Sequence, residues 1–212
     1  MQEAIQSKAT IRQIFATDKY VEERALRGFY DQTFEIAPEV AQHLSETKAP
    51  QGIFAVVELV ENTVPETLEG RYLLLDAVQD PGNIGTMIRT ADAAGFAGVV
   101  LGEGSVDLYN PKLLRSMQGS HFHLPVYQGK LLDWVKRFQH QSVPVYGTEL
   151  NQSAISYQAV PKADNLALIL GNEGNGVSVD LLLAADDNLY IPIPGHAESL
   201  NVAVAAGILM FK

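Results

Sequence analysis

Three polar stretches in this chain have residue types and spacings that could do chemistry. The first is Asp80-Pro-Gly-Asn-Ile-Gly-Thr-Met-Ile-Arg-Thr-Ala91. Ile84, Met87, Ile88 and Ala91 recur at helical spacing and form a stripe that packs inward, with Pro81-Gly82 as a turn and Asn83 as the helix cap. Gly85 and Arg89, four apart, then share another face. A glycine in a first helical turn costs about 1 kcal/mol relative to alanine, which implies that something approaches the backbone there. Arg89 projects beside that approach, and Lys112 and Arg115, in Asn110-Pro-Lys-Leu-Leu-Arg-Ser-Met-Gln-Gly119, could join it in a local phosphate-binding patch. A structural reading competes: a capping Asn, and a surface Arg paired with Asp92.

The second stretch, Gly171-Asn-Glu-Gly-Asn-Gly176, follows the apolar run Leu166–Leu170. No Gly-x-Gly opens it and it has no Lys, so it is neither a dinucleotide fingerprint nor a Walker loop. Its glycines permit left-handed backbone and expose amides that can hold a small polar ligand; an ordinary Gly-rich turn is the alternative. Glu173 is its only carboxylate. The third stretch, Ile191-Pro-Ile-Pro-Gly-His-Ala-Glu-Ser-Leu-Asn-Val202, is a rigid loop running into a helix that is apolar on every side. Such a helix must be buried. Ser199 stands at its N-cap position, and Asn201 is the one strongly polar residue between Leu200 and Phe211. A buried amide left unpaired costs about 1–3 kcal/mol, so Asn201 needs partners, either core backbone or a ligand.

Other candidates are weaker. His121 and His123 would share a strand face, but no third ligand lies nearby, which argues against a metal site. His43, His140 and His196 are isolated. Ser199 lacks a Gly-x-Ser-x-Gly setting, which argues against a nucleophilic serine.

The elements that position these stretches alternate regularly from Arg71 onward. Strand Tyr72–Ala77, helix Ile84–Ala94, strand Gly98–Leu101, a helix over Pro111–Met117 and strand Phe122–Tyr127 come first. Helix Leu131–Phe138 follows, with Trp134 on its core face. Strands Val143–Tyr146 and Leu166–Leu170, a helix over Val179–Ala184, strand Asn188–Ile191 and the final helix complete the series. This rhythm predicts an α/β fold, a mostly parallel sheet with helices on both faces, whose ligands lie beyond the strand C-termini. Residues 1–62 read as a small α/β unit. A helix fragment, strand Ile11–Thr17, a charged helix Lys19–Leu26, strand Thr33–Ile36, helix Pro38–Leu44 and a buried strand Gly52–Val57 follow one another. The unit opens on what reads as the end of a helix, so a first strand and helix are expected to be missing. The polar stretch Glu61–Gly70 supplies a linker at 63–70.

Composition narrows the classes. At 47% hydrophobic and 19% charged residues the chain has the balance of a soluble globular protein. It has no run near 18 apolar residues and no signal-peptide pattern, so a cytoplasmic location with no membrane partner is expected. The absence of cysteine excludes disulfides and thiolate metal sites. A net charge of −10 argues against broad electrostatic attraction to nucleic acid, so any RNA must be held by a local cationic patch.

Taken in order, Asp80–Ala91, Leu170–Gly176 and Ile191–Val202 resemble motifs 1, 2 and 3 of the SpoU/TrmH family of the SPOUT superfamily, RNA 2′-O-ribose methyltransferases that use S-adenosylmethionine. The likeness covers roughly residues 71–212, and the preceding residues resemble part of a small RNA-binding domain. The resemblance implies a C-terminal trefoil knot. It also implies a cofactor held around Thr148, Glu149, Leu150, Gly171, Asn172, Gly176, Ile191, Ile193 and Leu200, and no metal. Its implied catalytic set is Arg89 with Asn83, Glu173, Ser199 and Asn201, the general base being left open. Homodimerisation through the last helix would suit Ala203, Ala205, Ala206 and Gly207. The chain ends early in the usual C-terminal helix, and both halves are acidic, 6 basic against 12 acidic residues through Gly70 and 9 against 13 after it. RNA would then be held by shape, a few phosphate contacts through Arg89, Lys112 and Arg115, and the partner subunit. A knotted RNA-binding and dimerisation module without catalysis is the alternative; the presence of all five site residues argues against it. A nicotinamide-dependent enzyme fails for want of Gly-x-Gly-x-x-Gly after the first strand.

Overall fold

A computed structural model describes residues 1–23, 26–59, 62–151 and 153–212, which form two compact units, Met1–Glu61 and Asn62–Lys212. In the first unit, β1 (Ile11–Ala16) lies between β2 (Thr33–Glu35), to which it is parallel, and β3 (Ile53–Val57), to which it is antiparallel. Helices α1 (Gln2–Gln6), α2 (Asp18–Val21) and α3 (Pro38–Leu44) complete it. Ile11, Ile14, Ala16, Leu26 and Ala41 are buried. On the other sheet face Phe34, Phe15 and Phe54 stand in register, and Val56 is 47% exposed, so β3 is covered on one face only rather than buried throughout. The charged helix stops at Val21. Arg24 and Ala25 of its expected span, and Glu61 at the start of the polar stretch, lie outside the described residues.

The second unit is built on one fully parallel sheet, in the order β6-β5-β4-β9-β7-β10-β8. Its strands are β4 (Arg71–Leu75), β5 (Gly98–Leu101), β6 (Val126–Gln128), β7 (Val145–Thr148), β8 (Ile155–Ser156), β9 (Leu166–Leu170) and β10 (Asp187–Tyr190). Side chains alternate across a strand, so β4 sends Leu73 and Leu75 to one face and Tyr72 and Leu74 to the other. The first face is covered by α4 (Pro81–Ala93), α5 (Pro111–Met117) and α8 (Val202–Met210). The second is covered by α6 (Leu131–His140), through Trp134, Val135 and Phe138, and by α7 (Val179–Ala184), through Leu181. Both faces are therefore apolar, as a parallel sheet requires. The stretch before β4 is fastened to this unit: Leu68 is buried and donates its N–H to Gln141 Oε1 at 2.7 Å, and Asn62 Nδ2 donates to Val126 O at 3.1 Å.

Several local expectations are corrected. Residues Ser120–Phe122 form a 3₁₀ turn after left-handed Gln118 and Gly119, and β6 begins only at Val126, so His121 and His123 do not share a strand face. Asp80, not Asn83, caps α4: its Oδ1 accepts from Asn83 N at 2.8 Å, with Pro81 already in the first turn rather than in a preceding turn. What approaches Gly85 is α5. A Cβ there would lie 2.3 Å from Ser116 Cβ, and Ser116 Oγ donates to Gly82 O at 3.2 Å.

The last helix begins later than expected and is capped by Asn201, whose Oδ1 accepts from Ala203 N at 3.0 Å and Val204 N at 3.3 Å; Ser199 lies outside the cap. Ala203 and Ala206 are buried inward, and Gly207 faces Thr90 of α4, so these small residues serve packing within the chain. Val204 and Phe211 are 52% and 64% exposed, so the helix is not buried on every side. Gly85→Ala is expected to destabilise the protein by about 1–3 kcal/mol through overpacking against Ser116, measured by urea denaturation. An unchanged midpoint would contradict the close α4–α5 contact.

Candidate active site

In a parallel sheet all strand C-termini share one edge, and the four central strands β4, β9, β7 and β10 send their following loops out there together. This edge joins three segments far apart in sequence. Asn83 Nδ2 donates to Glu173 Oε1 at 3.0 Å across 90 residues, and Asn201 Nδ2 donates to Asn83 Oδ1 at 3.1 Å across 118. Asp80 N also donates to Glu173 Oε1, at 3.4 Å. The chain of bonds has one direction. The first amides of α8 fix Asn201 Oδ1, which turns Asn201 Nδ2 to Asn83 Oδ1, which turns Asn83 Nδ2 to the carboxylate. Asn201 is therefore neither a core amide nor bound to distant backbone; its partners are its own helix and Asn83.

Electrostatics follow from these bonds. Burial alone would raise the pKa of Glu173, but hydrogen bonds from Asn83 and from backbone amides of its own loop, Asp80 and Gln79 outweigh it and hold the carboxyl below its ordinary value. Asp80 is likewise held low, first by the Asn83 N–H and then, against a small effect of burial, by Lys112, whose Nζ lies 3.5 Å from Oδ2. That pair is exposed and contributes little to stability. His121 is held below its ordinary pKa by burial, which disfavours the charged ring, and by His123; its Nδ1 is buried with no partner among the described residues.

The Gly-rich loop is built differently from its sequence reading. Asn172 and Gly176 exchange backbone hydrogen bonds at 2.9 Å, and Asn172 Oδ1 accepts from Gly174 N at 2.9 Å and Asn175 N at 3.2 Å. Those two amides are satisfied within the loop instead of standing open to a ligand. Of the three glycines only Gly176, at φ +69, is left-handed; Gly171 is required because a Cβ would lie 2.0 Å from Gly176 C. Asn172 Nδ2 donates to Ala77 O at 2.9 Å, and Asp76 Oδ2 accepts from Ser178 N at 2.7 Å, tying this loop to the end of β4. Asp76 and Asp80 are the acceptors that the sequence reading passed over. For Asp80 the signal was present: an Asp directly before Pro is a cap followed by a first-turn proline.

Among the remaining site residues, Thr148 Oγ1 donates to Ile169 O at 2.9 Å and Glu149 N to Leu189 O at 3.0 Å. Leu150 is 71% exposed, and Ile191, Ile193 and Leu200 are half-buried. Between Pro192 and Leu200 no hydrogen bond is made among the described residues, Ser199 included. The side chain of Arg89 is exposed on α4 with no hydrogen bond or ion pair among the described residues; Asp92 instead faces His123, 3.4 Å from its Nδ1. Lys112 and Arg115 are exposed on α5. The structure thus links Asn83, Glu173 and Asn201 directly, and leaves Arg89 and Ser199 outside the bonded chain.

A parallel sheet whose loops converge in this way is shared with known proteins. The model of the SpoU rRNA Methylase family matches residues 70–211, and the chain belongs to that family. It is 46% identical over 211 residues, all of this chain and 84% of the other, to the 23S rRNA (guanosine(2553)-2′-O)-methyltransferase RlmP of Bacillus subtilis. Among solved structures it resembles an AdoMet-bound rRNA methyltransferase from Sinorhizobium meliloti (28% identity, TM-score 0.87, 100% of this chain and 83% of that one). It also resembles the SpoU methyltransferase AviRb of Streptomyces viridochromogenes in complex with AdoMet (27% identity, TM-score 0.84, 99% and 84%).

Because the folded Glu173 carboxyl sits below its unfolded pKa of roughly 4.3, its contribution to stability is complete above that value and disappears as pH falls through the lower folded one. Glu173→Gln is therefore expected to lower the urea midpoint at pH 7, and the gap to the wild type is expected to shrink as pH falls through the lowered folded pKa. A gap that widened in acid would contradict the assignment.

Proposed function

We propose that this protein transfers a methyl group from S-adenosylmethionine to a ribose 2′-hydroxyl of ribosomal RNA: an O–CH3 bond forms as the S–CH3 bond breaks, S-adenosylhomocysteine leaves, and the hydroxyl proton is released to water. The observation that carries the reading is the hydrogen-bonded chain Glu173–Asn83–Asn201, which draws the three family motifs to one edge of the sheet. The residues present fit the cofactor. The backbone N–H and C=O groups of 192–200 that make no hydrogen bond lie on a segment that follows Ile191 and carries Ile193 and Leu200. That combination matches an adenosyl group, apolar on its ring faces and lined with donors and acceptors at its edge. Thr148, Glu149, Leu150, Gly171, Asn172 and Gly176 complete the binding set in this proposal. When bound, S-adenosylmethionine supplies an electrophilic sulfonium methyl.

The work of this chain's own residues is to place the ribose and manage its charge. Arg89, exposed and unpaired among the described residues, holds a phosphate of the RNA and stabilises the alkoxide that develops as the 2′-hydroxyl loses its proton. Lys112 and Arg115 give further phosphate contacts in an otherwise acidic protein. Glu173 is a poor candidate for the base, since a carboxylate held low and already accepting from Asn83 and Asp80 has little affinity for another proton. Its role here is to anchor Asn83, while Asn201 and Ser199 line the same edge.

The trefoil knot belongs to the proposal. Its support is the path of the chain after β9, which crosses to β10 at the far side of β7 and then returns to set α8 against α4. So does a homodimer formed over α8, supported by the exposed Val204 and Phe211. A cytoplasmic location suits action on ribosomal RNA, and no helix among the described residues is long and apolar enough to cross a membrane.

Calorimetry is expected to register binding of S-adenosylmethionine but not of NAD; the reverse would overturn the cofactor assignment. Arg89→Ala is expected to remove methyl transfer while leaving cofactor affinity within a few-fold, and unchanged turnover would sink its role. Phe211→Glu is expected to shift the protein from dimer to monomer in light scattering, because a charge on an apolar interface is left unpaired.

A further inference from the structure

Helices α4 and α8 lie side by side and run in the same direction. At their N-terminal ends Asn201 meets Asn83 at 3.1 Å; further along, a Cβ added to Gly207 would lie 3.9 Å from Thr90 Cγ2. At their C-terminal ends Arg71, the first residue of β4, donates to Met210 O at 3.3 Å and to Ala94 O, with its guanidinium carbon 4.8 Å from the Phe96 ring centroid. Just beyond α8, Lys212 Nζ donates to Tyr157 O and Val160 O.

Parallel neighbours bring like ends together. Each helix carries roughly half a positive charge at its N-terminus and half a negative charge at its C-terminus, so this pair repels itself at both ends unless countercharges are supplied. Glu173 and Asp80 lie at the N-terminal end, and Arg71 bridges the C-terminal carbonyls. One planar fork reaches both helices through two separate nitrogens, a geometry that a single ammonium nitrogen does not reproduce.

We propose that Arg71 is a positioning residue for methyl transfer: it holds the register of α8 on α4 so that Asn201 falls on Asn83 at the site. It does so from the other end of α4, about 16 Å along the helix axis. The proposal rests on the methyltransferase reading, since it gives Asn83 and Asn201 their catalytic setting, but part of its test does not.

The test uses the full chain with Arg71→Met, Arg71→Lys, Asn201→Ala and the double variant Arg71→Met/Asn201→Ala. Turnover with methyl-tritiated S-adenosylmethionine and a 23S ribosomal RNA transcript is read per folded molecule. Arg71→Met is expected to lower kcat at least tenfold, and the double variant to be no slower than the slower single one. Sites this far apart normally act additively, so additive losses would overturn the proposal. Arg71→Lys is expected to restore the melting temperature but not kcat, and it carries the cycle if Arg71→Met fails to fold. Independently of activity, the ¹⁵N side-chain amide resonance of Asn201 in cofactor-free protein is expected to move toward that of a solvated amide in either Arg71 variant. An unmoved resonance would overturn the proposal. If the wild type itself transfers no methyl group, the functional reading fails, and the resonance alone decides the role of Arg71.

Discussion

A single side-chain amide, that of Asn83, accepts from Asn201 and donates to Glu173, and the second unit is arranged so that it can do both. The arrangement begins with a sheet that is parallel throughout, because only then do the loops after β4, β9 and β10 leave from one edge. Asp80 sets Asn83 in the first turn of α4, the Asn172–Gly176 turn carries Glu173, and the cap of α8 fixes Asn201. Each of these is a local solution to unsatisfied backbone groups at a helix end or turn. Together they leave one amide with both of its functions committed and one orientation available.

Helix-end electrostatics supports the same constraint over a longer distance. Two helices running in parallel against one sheet face concentrate positive ends at the site and negative ends at the opposite edge. The carboxylates of Glu173 and Asp80 meet the first, and the guanidinium of Arg71 meets the second. Acidic residues at the site are therefore compatible with binding an anionic substrate: their charge is taken up by backbone amides and by Lys112, while Arg89 and Arg115 lie exposed.

Much of the architecture is legible in the sequence because it depends on local pattern. The continuous apolar run Leu166–Leu170 and the helices Pro111–Met117 and Val179–Ala184 have the bounds that periodicity and flanking turn residues indicate. What was misread depends on neighbours. Gly85 signals a close approach, but sequence spacing does not say that the approaching group is Ser116 of α5 and not a ligand. Asn83 and Asp80 are both good caps, and the choice between them rests on where Pro81 falls. Asn201 looks like a buried amide as long as its helix is assumed to be surrounded, whereas one side of that helix is open. Motif order groups Asn83, Glu173 and Asn201 with Arg89 and Ser199 as one expected set; that the first three bond to one another follows only from the topology of the sheet.

The proposed reaction delivers a methyl group to a ribose oxygen and not to a base. It is tested most directly by digesting 23S ribosomal RNA to nucleosides after incubation with the protein and labelled S-adenosylmethionine, then locating the label by mass spectrometry. A single labelled nucleoside is expected, its added methyl group travelling with the ribose fragment. Label on a base, or cofactor binding with no label on RNA, would contradict it.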